Sequence, residues 1–210
     1  MANEQRNILT EKVISPLTIA HVVLKTGKPK PMVAYYKAFL GAHIQYENET
    51  ICFLAYDEEH HRIAIINFPT LGPKQGAGLD HVAFTFDSLQ DLVLAYKQRK
   101  TRGIVPIWCV NHGITTSMYY QDPDGNKIET QVQNFDTVEE ANAYMTSTDF
   151  TENPIGVDFD PEELVKRLES GEDERDIKKK PNIGPRSIES VKSRVVPPPF
   201  AKDSYEPIYL

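Results

Sequence analysis

The chain has 210 residues, of which 40% are hydrophobic and 25% charged, and its formal net charge is −7. This composition suits a globular protein of one domain, or of one domain with an extension, and the acidic balance argues against nucleic acid and anionic membrane surfaces as partners, since both call for a basic patch. No apolar run approaches bilayer length, the opening MANEQRNILTEK lacks the apolar core of a secretory signal, and Cys52 and Cys109 stand alone without CxxC spacing. They are expected as buried, reduced thiols of a cytoplasmic protein.

Residues 1–16 read as an irregular arm. SPLTIAHVVLKT, rich in branched apolar residues, predicts a strand. KPKPMVAYYKAFLGA predicts a helix, because Met32, Val33, Tyr36, Phe39 and Leu40 recur at helical spacing and Gly41 supplies a stop. HIQYEN, ICFLAYD and RIAIINF predict three more strands, so residues 17–68 form a βαβββ module. Residues 69–78 are a Pro/Gly-rich linker. The pattern then restarts over 79–135. LDHVAFTF is a strand, Ser88 caps a helix carrying Leu89, Leu92, Val93 and Tyr96 on one face, and IVPIWCV, TSMYYQD and KIETQVQNF are strands. Beyond this, 136–210 reads as a helical and Pro-rich extension: VEEANAYMTS and DPEELVKRLESG look helical, and the charged run from GEDERD onward is expected to be extended, packed on the surface or on a partner subunit in preference to closing over a site.

The halves share more than their order. Ile19-Ala20-His21-Val22-Val23-Leu24 aligns with Leu79-Asp80-His81-Val82-Ala83-Phe84, with a histidine at the same place in the first strand of each. An internal repeat of this kind governs the choice of fold, here α+β with two βαβββ modules. The hairpin MYYQDPDGNKIETQ adds strong turn chemistry and then an acid, Glu129, inside a strand flanked by Ile128 and Thr130. A buried carboxylate without a partner is costly, so Glu129 is exposed, paired or ligated. Taken singly, a histidine in a strand is more often a hydrogen-bonded core residue than a ligand. Taken together, His21, His81 and Glu129 supply the two-histidine, one-carboxylate set of non-haem iron oxygenases, provided that a pseudo-twofold brings the modules together.

The paired His-Val strands, the DPDGN-x-x-E hairpin and the doubled βαβββ order resemble the vicinal oxygen chelate superfamily, and within it the type I extradiol ring-cleaving dioxygenases, over about residues 17–135. The resemblance implies paired, partly closed mixed sheets around a metal cleft. It implies Fe(II), with Mn(II) as the alternative, held by His21, His81 and Glu129. It implies His61, in EEHHRIAIIN, as acid/base near dioxygen with His60 its neighbour, and Tyr119 and His112 as contacts to the bound diol. The implied reaction opens a catechol-type ring with O2 to a muconic semialdehyde-type product. RIAIINF carries no acid, whereas glyoxalase-like sites of the superfamily take a carboxylate from that strand; three ligands leave room for substrate and O2.

Two other readings stay open: another metal-dependent enzyme of the superfamily (isomerase, epimerase or lyase), and a non-catalytic, resistance-type protein that binds an aromatic compound. The expected partners are a small aromatic diol and O2, with a homo-oligomer as the assembly. Phe53, Tyr56, Phe68, Ile107, Trp108 and Tyr120 are candidate pocket walls, although core packing is the commoner fate of such side chains.

Overall fold

In a computed structural model, residues 18–70 and 79–186 are described; the N-terminal arm, most of the linker and the final 24 residues lie outside them. The first module runs β1 (Val22–Thr26), α1 (Pro29–Leu40), β2 (His43–Glu47), β3 (Ile51–Ala55) and β4 (Ile63–Asn67). The second runs β5 (His81–Thr85), α2 (Leu89–Thr101), β6 (Trp108–Asn111), β7 (Thr115–Gln121) and β8 (Lys127–Gln133). The local signals act as expected. Gly41 ends α1 in the left-handed region at φ 66°, and the Ser88 side chain accepts from the Asp91 amide at the start of α2.

Each module closes its first strand in parallel against its last. The sheet orders are β1-β4-β3-β2 and β5-β8-β7-β6-β9, so the described residues form two open mixed sheets and no closed barrel. One face of each sheet packs on the helices. Met32, Phe39, Leu54, Ile63 and Ile65 from the first half join Leu92, Met118, Tyr120, Ile128 and Val132 from the second in a single core. Period 2 then sends the alternate residues to the opposite face. Arg99 ties the halves together: it is buried, donates from Nε to the Phe39 carbonyl at 2.9 Å, and lies over the Phe39 ring at 3.9 Å. Cys52 and Cys109 are buried and free, and burial pushes the Cys52 thiol up to about 11. Among the described residues no helix is long and apolar enough to cross a membrane.

The extension is more ordered than its charge suggests. It holds α3 (Val138–Met145), α4 (Thr148–Glu152), β9 (Val157–Asp158), α5 (Pro161–Glu169) and α6 (Glu174–Lys178). The helix α6 falls where an extended run was expected: Asp173 caps it and Ile177, its one buried apolar residue, anchors it to the core. The strand β9 has two residues and exists only by pairing with β6, Val110 opposite Asp158 and Asn111 opposite Val157. No periodicity can announce a strand that short.

Candidate functional site

The second sheet builds a polar cluster on the face turned away from the helices. In β7–β8 the register sets Tyr119 directly opposite Glu129, and in β5–β8 it sets Ala83 beside Glu129. His81, two residues before Ala83, therefore shares that face, and its Nε2 lies 3.1 Å from Glu129 Oε2. Glu129 is 5% exposed and Tyr119 6%, so both polar groups are inside the protein. The His112 Nε2 lies 3.0 Å from the Tyr119 hydroxyl, and its Nδ1 lies 2.6 Å from the Ile155 carbonyl. A carbonyl only accepts, so Nδ1 carries the proton and Nε2 accepts from Tyr119. Trp108, opposite Tyr119 in β6–β7, stacks on it at 4.9 Å. Burial, then the charge of Glu129, pushes the Tyr119 phenol well above its usual range, and burial holds His112 below 6.5.

Asp80 completes the surroundings of His81. Its carboxylate lies 2.8 Å from His81 Nδ1 and 2.8 Å from Lys127 Nζ, and the bond to His81 lowers its pKa. With Nδ1–H donating to Asp80, Nε2 is the ring nitrogen turned toward the Glu129 carboxylate oxygen. A nitrogen and a carboxylate oxygen 3.1 Å apart can share a proton or, once Nε2 is deprotonated, offer two donor atoms to a cation. A carboxylate behind the ligating imidazole is the usual second partner of a metal-bound histidine. The pair thus suits the oxygen- and nitrogen-preferring ions of this chemistry.

The first module arranges its histidines differently. His21 precedes β1, is exposed, and its ring lies 4.3 Å from that of His61 and 6.3 Å from that of His60. His61 is buried and stacks on Phe53 at 4.3 Å. Burial, then the neighbouring His21 and His60, lowers its pKa. His60 is exposed beside Glu59. The structure therefore brings His81, Glu129, Tyr119 and His112 together and groups His21 with His61. Among the described residues no three His, Cys, Asp or Glu side chains converge as a metal-holding group. Of the candidate walls, Phe53 and Trp108 stand at these clusters, Tyr120 is fully buried on the helix side, and Tyr56 and Phe68 are exposed. The pattern missed Asp80, which its place next to His81 in the chain could have flagged. It also missed the Ile155 carbonyl, which no side-chain motif announces.

The profile of the Glyoxalase/Bleomycin resistance protein/Dioxygenase superfamily matches residues 18–130. The chain belongs to this superfamily. Two curated relatives from Rhodococcus globerulus extend the match. Biphenyl-2,3-diol 1,2-dioxygenase 2 is 47% identical over 155 residues, 72% of this chain and 82% of the relative. Biphenyl-2,3-diol 1,2-dioxygenase 3 is 44% identical over 163 residues, 76% of this chain and 86% of the relative. Among solved structures, lactoylglutathione lyase from Agrobacterium tumefaciens covers 56% of this chain and 94% of its own at 17% identity, with a TM-score of 0.46. Dioxygenases of this superfamily imply a metal cofactor.

Proposed function

We propose that this member of the superfamily is an extradiol ring-cleaving dioxygenase, which uses O2 to open the ring of a catechol-type diol beside its hydroxyls and yields a muconic semialdehyde-type product. The observation that carries this reading is the linked set His112–Tyr119–Glu129–His81 on one sheet face, with Tyr119 and Glu129 buried, in a chain 47% identical to a named diol dioxygenase. His21, His81 and Glu129 are the proposed ligands, Fe(II) the proposed ion and Mn(II) its alternative. When bound, the metal supplies Lewis acidity toward the two hydroxyls and the redox capacity that dioxygen chemistry requires.

The protein supplies position and proton transfer. Asp80 holds the Nδ1 proton of His81 and so leaves Nε2 free to ligate. The Tyr119 hydroxyl and His112 Nε2 form one wall and orient the diol. His112, kept neutral by burial, accepts a substrate hydroxyl proton at Nε2. His61, buried and kept neutral in the same way, is the acid/base on the dioxygen side. Its stacking on Phe53 holds the imidazole plane. The names of the relatives make a bicyclic diol the first substrate to try. Free buried thiols fit a reducing cytoplasm, and a homo-oligomer is the proposed assembly.

The test is oxygen uptake by iron-loaded protein across mono- and bicyclic catechols, with biphenyl-2,3-diol first. Uptake matched by a yellow ring-fission product is expected. Silence with every diol, or turnover that continues without oxygen, overturns the reading. Purification without bound iron or manganese would favour the resistance-type binder instead. An isomerase of the glyoxalase kind is disfavoured by β4, which offers Ala64, 1% exposed, where β8 offers Glu129.

A further inference from the structure

The Ile155 carbonyl that fixes His112 belongs to the extension, and the extension builds a dedicated mount for it. Lys180 has a buried side chain. Its Nζ donates to the backbone carbonyls of Asp149 at 3.1 Å and Asn153 at 3.0 Å, and lies 3.4 Å from the Asp149 carboxylate. Tyr144 donates its hydroxyl to the same carboxylate, and its ring stands 5.7 Å from the ammonium. The Asn153 side chain then clasps the loop that contains Ile155: its Oδ1 accepts from the Gly156 amide at 2.9 Å and its Nδ2 donates to the Gly156 carbonyl at 3.2 Å. Gly156, at φ +104°, packs so closely on β6 that a Cβ there would lie 2.2 Å from the Asn111 carbonyl oxygen. A buried ammonium is expensive unless its donors are used, and here they are spent on two carbonyls and a carboxylate at the C-terminal end of α4, directly before the loop that carries Ile155.

We propose that Lys180 is a positioning residue for His112: by pinning the 149–153 backbone it sets the Ile155 carbonyl that selects the Nδ1-protonated tautomer and turns the Nε2 lone pair to Tyr119. Among the described residues the Ile155 carbonyl is the acceptor at Nδ1; without it the proton can move to Nε2, which then donates to the Tyr119 oxygen and keeps no lone pair to accept from the phenol or from substrate. The catalytic significance of this mount rests on the dioxygenase reading. The mount itself does not.

The decisive measurement is the ring ¹⁵N spectrum of His112 in the full chain labelled at histidine, assigned against His112→Gln, with iron withheld because its paramagnetism broadens the signals. Wild type is expected to show the Nδ1-protonated pattern. Lys180→Met is expected to lose it in favour of a mixture. Lys166→Met, at an exposed lysine, is expected to keep it. In iron-loaded protein Lys180→Met should lower kcat about tenfold with metal content unchanged. A folded Lys180→Met protein that keeps the wild-type tautomer overturns the proposal, as does a shifted tautomer with wild-type kcat in an active enzyme. If Lys180→Met does not fold, Asn153→Ala opens the same loop without touching the ammonium and is read by the same spectrum. A wild type that cleaves no diol sinks the dioxygenase reading, and the tautomer spectra then decide the positioning role alone.

Discussion

The two modules are one strand scheme carrying two different surfaces. Their first and last strands pair in corresponding register, Val22 with Ile63 and Val82 with Ile128. Matched through His21 and His81, the positions of the site then correspond one to one. Glu129 falls on Ala64, Tyr119 on Phe53, Trp108 on Tyr46, Asn126 on His61, and Asp80 on Ala20. The second module thus carries a carboxylate, a phenol and an aspartate behind its histidine where the first carries Ala64, Phe53 and Ala20. The first contributes imidazoles only, His21 and His61.

Covering differs as well. The strand β2 is exposed along its whole length, whereas β9 pairs with the corresponding strand β6 and the extension closes over His112. A repeat sets where side chains point. Which of the two faces becomes a low-dielectric polar site depends on what is laid over it, since hydrogen bonds and charges gain strength only where water is kept out.

This asymmetry can be broken most sharply at the ligands. Glu129→Ala and His81→Ala should each abolish bound iron and lower ring cleavage at least about a thousandfold, read by metal analysis and oxygen uptake. His21→Ala should match them; retention of full iron content in that variant would show that the first module contributes no ligand. Next, His61→Ala should keep the iron and lower kcat about a hundredfold, the usual scale of general acid–base catalysis. Unchanged turnover there would remove the first module from the chemistry altogether.

Planting the missing acid tests the comparison from the other side. Ala64→Glu puts a carboxylate at a position 1% exposed with no Asp80-like or tyrosine support, and should cost about 3 kcal/mol in denaturant unfolding. A neutral result would mean that the open face of the first sheet solvates charge as freely as water. The mildest effect is that of pH. His61 and His112 both sit below their ordinary value of 6.5 in the folded protein because burial disfavours the cation. The unfolded chain therefore binds more protons as pH falls through 6.5 toward the folded values, and stability drops over that window while holding steady above it. Unfolding free energies at pH 7.5 and 5.5 should differ in that direction in wild type and less in a His61→Gln variant.

Much of this was written in local pattern. The doubled βαβββ order, the stop at Gly41, the cap at Ser88 and the DPDGN turn follow from dihedral preference and period, which act over a few residues and need no neighbours in space. Parity allowed an inward Glu129 once the turn was placed, and the burial of that side chain opposite Tyr119 decided it. Sequence alone could not find β9, α6 or the Ile155 carbonyl, because a two-residue strand, a five-residue helix held by one isoleucine, and a backbone oxygen have no side-chain signature. Nor could it tell that His21 lies with His61 while His81 lies with Glu129. Local chemistry determined which side chains can bind or move a proton; long-range packing decided which of them share a water-free space, because that depends on contacts between residues tens of positions apart.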